Sequence, residues 1–434
     1  MKNEKVKDGF ELTRILYVIE AALEYFVSIA VGTVYLAKIT AYCGISDEVT
    51  AILTAFVSLG CSFQLLSIFF GGKASVKGFV SGGHIVSQLL FTALYIIPLL
   101  SFNDNIKAII LIIALLVAQI IHNLVNAPKI NWFMSTVKDQ NRGRFTAVKE
   151  MASLIGGTAF SFGLSFIIDK YESAGNMQAA FTVGAIILGL LTIFHTLTLV
   201  FSKEPQKQAS PVRQKGQVKK LLKNKTLLKL VLVATLFMFA NYATVSFSGT
   251  YMNGELGFSL TFSSAVVFIG SICRVMFSIP FGKFADKKGF CSMLLMCFGI
   301  VALAYAINIF TVPSNGKILY PVYYALYCIS MAGINSAMIN LIYDYVTPEE
   351  RTGALALNQS FSGIAGFLAT LALSPVMRII KQNGNTILGI PVYAQQIFSL
   401  ISFIIVLILI AYLLLVIRKL PRANKEQVLP LSHE

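Results

Sequence analysis

Glu20 and Glu24 stand one helical turn apart in the otherwise apolar stretch VIEAALEYFVSIAVG, from Val18 to Gly32. At about 100° per residue the two carboxylates share a helix face. A single charge at mid-bilayer costs about 2.5–3.5 kcal/mol on insertion scales. Two acidic groups at that depth need water, a proton or a cation, which makes the pair a candidate proton carrier. Arg274 is the other charge of similar depth, eight residues before Gly282 and so ~12 Å from its helix end. Glu20, Glu24 and Arg274 are the expected proton-coupling set, with Asp344 competing for Arg274. A permanent structural ion pair is the alternative. Among the histidines, His122 has polar neighbours and is the best candidate to bind substrate or shuttle protons. His84 and His195 read as hydrogen-bonded packing residues. Three histidines on different segments carry no metal signature. There is no phosphate-binding glycine-rich loop and no nucleophile–base set, so no cofactor, metal or enzymatic activity is expected.

The elements that hold these residues are membrane helices. Composition is 56% hydrophobic and 13% charged, with a mean hydropathy of +0.74; soluble domains average about 25% charged residues. Twelve apolar spans run roughly over 15–37, 48–70, 79–100, 106–127, 146–168, 178–201, 227–249, 259–281, 290–311, 318–343, 353–378 and 391–417. Each is long enough to cross a ~30 Å hydrocarbon core as a helix, and too uniformly apolar for barrel strands. The expected fold is therefore an all-α polytopic membrane protein.

The net charge of +15 follows topology rather than nucleic acid. With both termini inside, 28 of the 35 Lys and Arg fall in cytoplasmic segments and six in external loops, and Arg274 is within a span. The positive-inside rule fixes that orientation and points to membrane lipids as partners, in a cell (inner or plasma) membrane. No cleavable signal peptide is read at the N-terminus. The six cysteines lack paired spacing and read as small apolar residues.

The two halves of the chain echo each other. FGGKASVKGF (Phe70 to Phe79) returns as FGKFADKKGF (Phe281 to Phe290), 211 residues later. NAPKIN (Asn126 to Asn131) returns as NSAMIN (Asn335 to Asn340), and VKDQNR (Val137 to Arg142) falls on VTPEER (Val346 to Arg351), both at an offset of 209. Duplicated halves mark secondary transporters, whose binding site lies between them. The expected division is an N-terminal half over 1–202, a cytoplasmic linker over 203–226, a C-terminal half over 227–418 and a tail over 419–434.

These features together resemble the major facilitator superfamily (MFS). The sharpest match is Gly282-Lys283-Phe284-Ala285-Asp286-Lys287-Lys288-Gly289, similar to the family's loop signature between spans. The first-half copy, Gly71 to Gly78, has Ser75 where the Asp belongs. Arg142-Gly143-Arg144 resembles the family's basic element after span four, and Arg351 its counterpart. The resemblance implies two pseudo-symmetric six-helix halves and a cytoplasmic latch made of Gly282, Asp286, Lys287, Arg142, Arg351 and Asp344, with the glycine turning the chain. Span five lacks the Gly-Pro pair usual in the family's drug–proton antiporters.

The resemblance also implies that spans one, four, seven and ten line a central cavity. Each carries a polar face at helical spacing: Tyr17 and Glu24; Gln119, His122, Asn123 and Asn126; Asn241, Thr244 and Ser248; Tyr323 and Tyr327. Polar helix–helix contacts give similar stripes. The function expected is a secondary transporter, a monomer, that moves a small polar solute such as a sugar or other metabolite by alternating access, coupled to a proton or another cation. A proton-driven exporter of cationic or amphiphilic drugs is the first alternative, and a non-transporting receptor or assembly protein on the same fold the second. Trp132 is expected as an interfacial anchor.

Overall fold

The computed structural model describes residues 9–66, 76–137, 142–204, 217–346, 350–387 and 389–420. Ten helices in it are long and apolar enough to cross a membrane. Span one is a further crossing broken into Glu11–Ala30 and Thr33–Tyr42, bent by 45°. Tyr95 donates its hydroxyl hydrogen to the Ala30 carbonyl at the break (2.7 Å), satisfying a group the bend would otherwise strand. Span two is the twelfth, built from Asp47–Thr54, Phe56–Ser62 and the 3-10 turn Phe63–Leu66. The first-half loop copy with Ser75 lies mostly outside the described residues, as do 205–216 of the linker and the tail from 421.

Spans three to six are Val76–Ile96, Asp104–Met134, Arg142–Ser173 and Met177–Phe201. After a short helix, Gln217–Lys223, span seven runs over Lys225–Val245 and continues through Ser248–Thr250 into a π turn, Tyr251–Glu255. Spans eight to twelve are Leu260–Lys288, Phe290–Ile309, Gly316–Tyr343, Arg351–Gln382 and Ala394–Leu415. Caps follow local chemistry: Asn224 accepts from the backbone of Thr226 and Leu227, and Ser259 from that of Phe262.

One expected turn is corrected. Span eight runs through Gly282 as unbroken helix to Lys288. The residue that turns the chain is Gly289, at φ +84°, a conformation that side chains disfavour.

Packing follows a two-fold plan. In the first half, span one packs on five and three on four; in the second, seven packs on eleven and nine on ten. Between halves, span two meets eleven and span five meets eight, which are equivalent pairs under a shift of six spans. The two halves thus pair their spans in equivalent ways. All six cysteines are free.

The halves close on each other at the end remote from the termini. Gly249 lies so near Thr33 that an added Cβ would fall 2.2 Å from its carbonyl oxygen; nearer mid-span, one at Gly363 would fall 2.5 Å from that of Ser58. Asp169 of span five accepts from the backbone N–H of Leu260 (3.0 Å) and Thr261 (2.8 Å), capping span eight across the divide. Asn253 donates to the Val34 carbonyl at 2.9 Å. Lys381 pairs with Asp47 and lies 3.7 Å from Glu255.

Candidate functional site

The chemistry of the first half gathers around Lys129. It rides on span four, just after the in-helix Pro128, and is buried. Its ammonium donates to Glu20 at 3.1 Å and to Glu24 of span one. His195 of span six places Nε2 3.1 Å from the same Glu20 oxygen. His84 of span three and His122 of span four turn Nδ1 toward Glu24, at 3.7 and 3.5 Å. Tyr17, one turn before Glu20, stacks on Phe133 with centroids 4.2 Å apart and closes the cluster beneath.

This corrects the sequence-based picture in three ways. The Glu24–Arg274 pair does not form; Lys129 is the counter-ion, and Arg274 makes no ion pair among the described residues, with Asp344 or any other acid. A span four ending at 127 leaves Lys129 outside the membrane; the helix instead continues to Met134. The histidines, read as dispersed, converge: His84 lies 5.6 Å ring-to-ring from both His122 and His195. A signal for Lys129 existed in the duplication, where NSAMIN has Met338 at the matching position. A lysine in place of an apolar residue within a repeated helix marks a candidate functional group rather than a loop charge.

Glu20, His84 and His195 form one group whose ligand atoms lie within 4.8 Å of one another, and Glu24, His84 and His122 another. Such sets could hold a divalent ion. The Lys129 ammonium, bonded to both carboxylates, already supplies the positive charge a metal would bring. Several buried ring nitrogens remain without hydrogen-bond partners: both of His84 and Nδ1 of His122 and His195. Buried polar atoms of this kind are costly unless a proton or water completes them in another state.

The expected cavity residues divide. Glu24 and His122 join the cluster, and Tyr17 is buried under it rather than lining a chamber. Asn123 is corrected to a packing contact, accepting from Gln64 (3.2 Å) and donating to the Gln119 carbonyl (2.9 Å), with Gln119 itself buried. Asn126 is half-buried. Asn241 is likewise sealed, accepting from Tyr327 at 2.8 Å. Thr244, Ser248 and Tyr323 are buried among spans seven and ten, with Thr244 and Ser248 bonded back to their own helix. One shared chamber lined by all of them is therefore not what the fold builds. A cleft between the halves does exist, lined by Tyr25, Thr158, Ser161, Ser264 and Ser271 of spans one, five and eight among others.

Of the expected latch, Asp286 and Lys287 are exposed on the last turn of span eight, with no ion pair among the described residues. Arg351 lays its guanidinium over the Tyr343 ring at 4.9 Å. Asp344 caps the end of span ten. The side chain of Arg142 lies outside the described ones. Trp132 is corrected too: it is buried, stacks on Phe133 at 4.5 Å and donates to the Lys203 carbonyl at 3.1 Å, so it locks span four to the end of span six.

The sequence pattern of the Major Facilitator Superfamily matches residues 15–370. The chain belongs to that superfamily. This MFS protein shares its fold with the nucleoside transporter NupG at a TM-score of 0.69 and 15% identity, covering 93% of this chain and 98% of that one. A D-xylose–proton symporter gives 0.68 at 13% identity, covering 92% and 96%. A bacterial homologue of the human lysosomal transporter Spinster, inward-facing and occupied, gives 0.64 at 15% identity, covering 95% and 97%. No curated protein matches the sequence. As an MFS member the protein is a multi-pass membrane protein and a secondary transporter of small solutes.

Proposed function

We propose that this transporter is driven by protons, carried at the Glu20–Lys129–Glu24 cluster, and that it moves a small polar metabolite through the space between its halves. One observation carries the coupling. Glu24 belongs to the cluster, and the next residue, Tyr25, lines the inter-half cleft. A charge change at Glu24 and a solute in the cleft thus act on one turn of one helix. The groups facing Glu24 are Lys129, His84 and His122, with Glu20, His195 and Tyr17 behind them. Protonation of Glu24 weakens its hold on Lys129, and the ring nitrogens of His84, His122 and His195 that lack hydrogen-bond partners offer a path for the proton.

The remaining assignments rest on the same reading. Both termini are cytoplasmic by the positive-inside rule, in a plasma or inner membrane, so closure at the remote end makes this the inward-facing state. The halves are 1–202 and 227–418, joined by the 203–226 linker, and the protein works as a monomer. Asp286, Lys287, Arg142 and Arg351 form a cytoplasmic latch that engages when the protein faces outward.

The test uses purified protein in liposomes with an imposed proton gradient. Glu24→Gln abolishes uphill accumulation yet leaves solute exchange intact. Full gradient-driven accumulation in that variant ends the proposal.

A further inference from the structure

We infer that the solute carries an anionic group, a carboxylate or a phosphate, and that Arg274 is the residue that receives it. This rests on the transporter reading but not on the proton route. Arg274 is on span eight, 14 residues from the helix start at Leu260, and so ~21 Å along it by helical rise. It is exposed and makes no ion pair among the described residues. Its direction is fixed by its neighbours. Gly270, one turn earlier on the same face, lies against Tyr324 and Cys328 of span ten. Ser271, three residues before it, lines the inter-half cleft. Arg274 itself is within electrostatic range of Tyr25 from span one and Tyr327 from span ten. It therefore lies on the side of span eight turned toward spans one and ten, between the two halves and one turn beyond the cleft-lining Ser271.

A guanidinium at this depth needs an anion. The two acids of comparable depth, Glu20 and Glu24, are held by Lys129 inside the first half. Among the described residues no carboxylate pairs with Arg274. An exposed planar fork of donors with no acid of its own matches a carboxylate or phosphate in geometry and charge. The cleft beyond it holds only about 30 Å³ of free volume in this conformer, room for a water. The anionic end of the solute thus rests at Arg274. The same placement opposes export of cationic drugs, because the charge presented to the solute is positive and the two glutamates are engaged by Lys129 inside the first half.

The experiment compares solutes that share a body and differ in charge: glucose, glucuronate and glucose 6-phosphate; uridine and uridine monophosphate; and lactate as a minimal carboxylate. Binding to purified wild-type protein is read by thermal shift and calorimetry at constant ionic strength. At least one anion binds, its neutral partner binds at least tenfold more weakly, Arg274→Gln loses that affinity at least tenfold, and Arg274→Lys keeps part of it. The ligand-free melting temperature of each variant separates lost affinity from lost folding. The carboxylate and phosphate arms distinguish the two anion classes. Anion binding equal in wild type and Arg274→Gln, equal binding of the neutral partner, or no binding by any anion in the set overturns the inference. Uptake of a neutral solute that ignores Arg274→Gln would overturn it while leaving the transporter reading in place.

Discussion

Lys129 of span four bonds to Glu24 of span one and reaches Glu20 at 3.1 Å, so one buried ammonium serves two buried carboxylates. Removing one partner of such a set leaves uncompensated charge, which costs about 3–5 kcal/mol, whereas removing charge on both sides is often tolerated.

Lys129→Met is therefore expected to lower the melting temperature of the detergent-solubilised protein strongly, in line with a loss of about 3–5 kcal/mol. Adding Glu20→Gln and Glu24→Gln to it restores most of the loss. An unchanged melting temperature in Lys129→Met alone would contradict the buried ion set.

Gly249 tests the closure of the remote end. A methyl group there meets the backbone of Thr33, which cannot move aside as a flexible side chain would. Gly249→Ala is expected to push spans one and seven apart. Spin labels at Ser173 and Asn383, on opposite halves at that end, should show a longer mean distance than in the parent protein.

Lys381→Ala removes the bridge to Asp47 and Glu255. The bridge is partly exposed, so its contribution is about 1 kcal/mol or less. The open population at the remote end should rise up to about fivefold, with the fold intact. The same pair of spin labels reports it, and the effect should shrink when Asp47→Asn is already present. Equal effects in both backgrounds would show that the ion pair is not the source.

Asp286 tests the opposite end. Because it is exposed and makes no ion pair among the described residues, Asp286→Asn should leave the closed remote end unchanged in this state. It should weaken only the outward-facing state and so raise the inward-facing share. Accessibility of a cysteine placed at Ser278, exposed on span eight, measures that share; lower accessibility would refute the latch.

Sidedness is checked in a cysteine-free background. A cysteine at Asn383 should react with an impermeant maleimide in intact cells, and one at Lys283 only after permeabilisation. The reverse pattern would invert the orientation.

The chain by itself determined the twelve spans and the two-fold plan. Hydrocarbon imposes both: crossing it demands about 20 apolar residues, and a duplicated sequence folds into equivalent helix pairs. It also marked Glu20, Glu24 and His122, since an ionisable group in an apolar run stands out whatever its neighbours. It could not show what those groups touch. Glu20 meets His195 across 175 residues and Glu24 meets Lys129 across 105, and helical periodicity describes one helix at a time. Which polar stripes face water and which face another helix was also beyond it; Asn123 and Asn241 had the spacing of cavity residues and became packing contacts. Only the packed bundle decided that Lys129, not Arg274, is the cation paired with the glutamates, because counter-ion choice depends on distances between helices that no spacing along the chain encodes.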